Sequence, residues 1–179
     1  VGVIDAGMFH ELSAQGVYVQ VVTSAVRPIP EAWAKIPRLQ IVVSIDGLPA
    51  EHDARRAPAT YDRILKHIVG QRIVVHCTVT RQIVERDGYL REFAQFWSDQ
   101  PHARKIWFSL YTPQVGEESP EKLRPEDRSR VVADLLGDSD QRESTPALWA
   151  LDSFRSARDR ADGLSEQQEL MERSLEEKG

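Results

Sequence analysis

Two spacings of hydrophobic residues alternate along the chain. Segments 17–24, 39–46, 72–80 and 105–112 concentrate β-branched and aliphatic residues between turn or helix signals, which predicts four strands. Between them the apolar residues recur every three or four positions, the helical period. Ile4, Met8 and Leu12 run up to Gly16, a helix stop. Tyr61, Ile64, Leu65 and Ile68 follow Thr60, an N-cap candidate, and precede Gly70. Leu90, Phe93, Ala94 and Trp97 repeat the spacing, as do Val131, Val132, Leu135 and Leu136 between Pro125 and Gly137. Only the first connection, around 29–36, is short. The fold class expected is therefore α/β with parallel strands joined by helical crossovers, over residues 1–136. Beyond Gly137 the chain turns rich in Asp, Glu, Arg, Ser and Gln, and 137–179 is expected to be a polar tail, helical or partly disordered.

Splitting each strand into its two alternating tracks separates chemistry from core. Leu39, Ile41, Val43 and Ile45 are all aliphatic, whereas Gln40, Val42, Ser44 and Asp46 face the other way. Ile73, Val75, Cys77 and Val79 oppose Val74, His76, Thr78 and Thr80. Ile106, Phe108 and Leu110 oppose Trp107, Ser109 and Tyr111, and Tyr18, Gln20, Val22 and Ser24 form the more polar track of the first strand. Polar groups gathered on one side at the C-terminal strand ends suit a barrel with its site at the top. A doubly wound sheet would bury aliphatics on both faces.

Composition narrows the partners. A 41% hydrophobic and 28% charged chain of 179 residues can bury the core of one domain. Its net charge of -5 has the wrong sign for phosphate-driven binding, so nucleic acid is not an expected partner. No apolar run reaches the roughly 20 residues of a membrane span, and a cytoplasmic protein with no membrane partner is expected. Cys77 is the single cysteine, which forbids an intrachain disulfide and any multi-cysteine metal site made by this sequence alone.

Each candidate residue has a plain structural alternative. Ser44 and Thr78 can line a site or satisfy buried backbone groups. Asp46 before Gly47 can be functional or turn chemistry. His52 and Asp53 are metal-ligand types, but adjacent ligands without a second histidine in register favour a structural role. Arg55 and Arg56 are surface charges, or one binds a carboxylate through its planar fork. Cys77, on the aliphatic track, reads as an inert buried thiol. Trp107 and Tyr111 either fill the interior or form a stacking wall for an aromatic ligand.

An ordered set of residues adds a family to this picture. Val43-Ser44-Ile45-Asp46-Gly47-Leu48-Pro49-Ala50-Glu51-His52-Asp53, then Arg55-Arg56 and Thr60-Tyr61-Asp62-Arg63-Ile64-Leu65, resembles the fourth strand and following helix of radical S-adenosylmethionine enzymes. Val21-Val22-Thr23-Ser24-Ala25 resembles their third-strand T-N-G, with Ser24 for Asn and Ala25 for Gly. His76-Cys77-Thr78-Val79-Thr80 resembles the fifth strand, and Phe108-Ser109-Leu110-Tyr111-Thr112-Pro113 the sixth. The resemblance, over roughly 4–136, implies a partial TIM-type barrel of six strands and six helices, of which this chain holds the later four strands.

It also implies S-adenosylmethionine and a 4Fe-4S cluster as cofactors of the intact protein, with an electron donor such as flavodoxin or ferredoxin and a small-molecule or peptide substrate of unstated identity. Reductive cleavage of the cofactor would yield methionine and a 5'-deoxyadenosyl radical that abstracts a substrate hydrogen. Carried over by position, Ser44 would bond the methionine or ribose part and Asp46 would order the strand end. Thr78, with His76, would border the ribose and substrate, Ser109 and Tyr111 would flank the adenine, and Arg56 would meet a carboxylate. The C-x-x-x-C-x-x-C loop that holds the cluster and the Gly-Gly-Glu-Pro segment are both absent from this sequence. With Val1 as the first residue, the expectation is a fragment or degenerate relative that is inactive by itself and self-associates through an exposed sheet edge. Two rivals stand beside it. One is a non-catalytic binding or scaffold module; the other is a barrel hydrolase or lyase using Asp46 and His76 as acid and base.

Overall fold

The computed structural model describes residues 6–114 and 116–136. Four strands, β1 (Val19–Thr23), β2 (Leu39–Ser44), β3 (Ile73–Val79) and β4 (Ala103–Leu110), form one all-parallel sheet in the order β1-β2-β3-β4. The helices are α1 (Ala6–Ala14), α2 (Pro49–Arg56), α3 (Tyr61–His67), α4 (Arg81–Val84), α5 (Tyr89–Ser98) and α6 (Pro125–Leu136), with a short 3-10 turn at Glu31–Lys35 in the first connection. The protein is thus an α/β fold, as the alternating spacings require.

The aliphatic tracks go where predicted. Ile41, Val43, Ile73, Val75, Cys77, Ile106 and Phe108 share one buried core with Trp33, Ile64, Phe93, Trp97 and Val131 from the connecting segments. Val42 and Val74, pointing the other way, are also buried yet lie outside that core. Consecutive strand order explains the one-sided covering, because crossovers of a single hand place successive helices on the same face. Where apolar side chains at helical spacing fill the core, as Leu90, Phe93, Ala94 and Trp97 do, sequence period and structure agree.

The departures have local causes. α1 buries Phe9 and Ser13, while Met8 is 49% exposed. The helix is rotated because Phe9 packs edge-on against Trp33 and the Ser13 hydroxyl donates to the Pro37 carbonyl at 2.6 Å. Gly16, at φ +84°, follows α1 in the left-handed conformation a helix stop needs. Thr60 does hold the N-cap position of α3, but its hydroxyl makes no capping bond; the Asp53 carboxylate reaches over from α2 and accepts the Tyr61 N–H at 2.8 Å. α2 carries a single buried side chain, His52, and so has no apolar stripe to read. β4 begins two residues earlier than the periodicity suggests, since a register irregularity opposite Ile73 and Val74 breaks the alternation there. Ile4 and the tail 137–179 lie outside the described residues. No described helix is long and apolar enough to cross a membrane.

Candidate functional site

The β2 end is built as a rigid turn. Gly47 has φ +138°, and a side chain there would meet the Tyr89 hydroxyl at 2.9 Å, so glycine is required twice over. The turn's backbone is then pinned from three sides. Leu48 N–H donates to the Tyr89 hydroxyl at 2.7 Å, the Tyr61 hydroxyl donates to the Gly47 carbonyl at 2.5 Å, and Trp97 Nε1 donates to Tyr61 at 3.0 Å. His52 completes the frame: its Nδ1 accepts the Asp46 N–H at 3.0 Å and its Nε2 donates to the Ala59 carbonyl at 2.8 Å. Burial holds its pKa below the ordinary 6.5, in keeping with a neutral ring used as a brace. With both nitrogens committed to the backbone, His52 has no lone pair for a metal.

That frame aims the Asp46 carboxylate, fully shielded from solvent, back across the sheet. Oδ1 accepts the Thr78 N–H at 3.1 Å. Oδ2 accepts Arg56 Nε–H at 2.6 Å and is ion-paired with Arg56 Nη2 at 2.6 Å and Arg55 Nη1 at 3.1 Å. Arg55 in turn reaches Glu121 at 2.8 Å, tying the strand end to the segment before α6. The carboxylate that Arg56 meets is therefore the protein's own. Asp46 thus ties the β2 end to β3 and to α2.

On the face outside the main core, Ser44 lies opposite His76, and Thr78 opposite Ser109. Ser44 is only 8% exposed, yet its hydroxyl has no hydrogen-bond partner among the described residues. The Thr78 hydroxyl likewise bonds no described residue, while its backbone N–H goes to Asp46. His76 Nε2 and Ser109 Oγ are 2.9 Å apart, and the Trp107 ring lies 5.1 Å from the imidazole. Burial lowers the His76 pKa, with Arg56 adding to the effect against the pull of Asp46. Tyr111 sits just past β4, and its hydroxyl donates to Glu117 at 2.9 Å. Four of the expected residues, Ser44, His76, Thr78 and Ser109, thus share one polar patch, while Asp46 and Arg56 lock its rim and Tyr111 is turned to a loop.

Such a patch can bind a ligand rich in hydroxyl or carbonyl groups, since uncommitted hydroxyls in a half-dry setting gain most from new bonds. It offers no cluster ligand. Cys77 is fully buried among core aliphatics, with its thiol pKa raised chiefly by desolvation, the opposite of what a thiolate ligand needs. Among the described residues no group of three His, Cys, Asp or Glu side chains could hold a metal ion. The site roles that sequence reasoning missed are those of Glu121, Tyr89 and Trp97, which act from 36 to 66 positions away and leave no local mark. No family model, curated protein or solved structure matches the chain.

Proposed function

We propose that this chain is the S-adenosylmethionine-binding later part of a radical S-adenosylmethionine barrel. The observation that carries the reading is Ser44: the residue is almost wholly buried on the sheet face that the helix-side core leaves aside, and its hydroxyl bonds no described residue and keeps access to that face. Two others support it. Strand order β1-β2-β3-β4 with helices packed on one face is how a barrel, rather than a doubly wound sheet, is laid out. Ala25, standing where the family pattern has glycine, has φ +51°, the conformation that favours glycine.

In this reading Ser44 and Thr78 bond the polar groups of the cofactor, and His76, Ser109 and Trp107 border its ribose and adenine. Asp46, Arg56 and His52 keep the rim fixed. When bound to a reduced 4Fe-4S cluster the cofactor supplies a 5'-deoxyadenosyl radical; the cluster needs thiolates that this sequence does not contain, so the chain alone binds without catalysing. An electron donor of the flavodoxin or ferredoxin type and a cytoplasmic setting belong to the same proposal.

Calorimetric titration with S-adenosylmethionine tests it. Ser44→Ala should weaken binding by roughly tenfold to a hundredfold, the worth of one hydrogen bond to a charged group, with unfolding stability nearly unchanged because the hydroxyl bonds nothing in the free protein. Ile45→Ala, in the core, should instead cost about 2–5 kcal/mol of stability and leave the affinity of the folded fraction alone. Wild-type protein that does not bind, or a Ser44→Ala variant that binds equally well, would overturn the assignment.

A further inference from the structure

A cavity lies beside the polar patch, between α2, α4 and the start of α5; it shares the rim residues Asp46, Arg55, Tyr89 and Glu121 with the site above but none of Ser44, His76, Thr78 or Ser109. Its volume is about 350 Å3, within the range of small-ligand sites. Ala54 and Ile83 give it apolar wall, and Tyr89 adds an aromatic one.

Charge pairing decides what it could hold. Asp46 and Glu121 are both bound by Arg55, and Arg86 is bound by Glu92. Glu51, beside the Tyr89 hydroxyl, forms no ion pair with any described residue. One negative charge is therefore left over among the charged residues that line the cavity. The second observation is Thr80. It occupies the N-cap position of α4 and is 4% exposed, yet its hydroxyl caps nothing and has no partner among the described residues. The residue is almost wholly buried and lines the same cavity, so its free hydroxyl is available to an occupant.

We infer that this cavity binds a small organic cation through a protonated amine, with Glu51 as counter-charge, Thr80 as hydrogen-bond acceptor and the Ala54 and Ile83 wall covering an alkyl stem. A primary ammonium matches this set because it carries one positive charge and several donors, whereas an anion would have to displace an existing carboxylate from Arg55 or Arg86. The inference is independent of S-adenosylmethionine binding at the sheet face.

The test is a titration of the 179-residue protein with n-butylammonium, followed by amide chemical shifts, alongside n-butanol and butyrate as neutral and anionic counterparts. Saturable shifts at Thr80, Gln82 and Glu51 with the ammonium alone are expected. Glu51→Gln, an exposed substitution that leaves the fold intact, should weaken them on the order of tenfold to a hundredfold, and Thr80→Val should weaken them about tenfold. Equal binding of n-butanol, preference for butyrate, shifts unchanged in Glu51→Gln, or no saturable shift in the wild type would each overturn the proposal. Ser44→Ala serves as the separating control: it should leave ammonium binding untouched whatever its effect on S-adenosylmethionine.

Discussion

At the scale of single residues, Asp46 is the point where most of the site's order converges. Its carboxylate is fully shielded and receives two guanidinium groups and a backbone N–H. Asp46→Asn keeps the volume but strands two cations beside a neutral amide. The expected loss is about 1–3 kcal/mol in urea unfolding, the worth of a charge-assisted bond whose cations, about a third exposed, stay hydrated. Histidine titration gives a second prediction. His52 and His76 both have folded pKa values below the ordinary 6.5, so unfolding at lower pH takes up protons. Stability from these groups is complete above pH 6.5 and falls as pH drops from there through the depressed native values. His76→Gln removes one of the two sites and should make the fall of Tm below pH 6.5 shallower; an identical slope would mean that His76 is already titrating normally.

Among the elements, the β2–α2 turn is held by residues from α3 and α5 rather than by its own sequence. Tyr61 is the link, donating to Gly47 and accepting from Trp97 while packed edge-on against His52. Tyr61→Phe keeps the ring and removes the hydroxyl, which leaves the Gly47 carbonyl and the Trp97 N–H without their partner. About 1–3 kcal/mol should be lost for each stranded group, measurable by chemical unfolding. Because Asp46 hangs from the same turn, S-adenosylmethionine affinity in the folded variant should fall as well. Loss of stability with unchanged affinity would show that the turn is not what positions the site.

At the scale of the molecule, β1 is an edge of the sheet formed by the described residues. Val19 N–H is bonded to Arg38 on the β2 side, so Gln20 and Val22, which alternate with it, turn their backbone groups to the free side. Tyr18 is 82% and Val22 60% exposed beside that edge. An edge that no described residue covers, with apolar side chains beside it, is a template for another strand. Sedimentation should therefore show association that grows with concentration, reduced by Val22→Lys; a monomer at every concentration would mean that the edge is protected.

Sequence alone determined the parts of this protein that follow from local period. The four strand cores, the buried faces of α5 and α6 at Leu90, Phe93, Trp97, Val131 and Leu135, and the assignment of polar and aliphatic tracks all rest on spacings of two, three and four residues, which backbone geometry imposes wherever a core forms. Ser44, His76, Thr78 and Ser109 were legible as neighbours for the same reason, since parallel pairing carries one track beside the next. Tertiary structure decided the rest. Arg56 met Asp46, α1 turned Phe9 and not Met8 to the core, and Asp53, not Thr60, capped α3. Those outcomes depend on groups brought together by packing, through bonds such as Arg55 to Glu121 across 66 residues, and no local period encodes which distant partner will satisfy a buried charge or N–H.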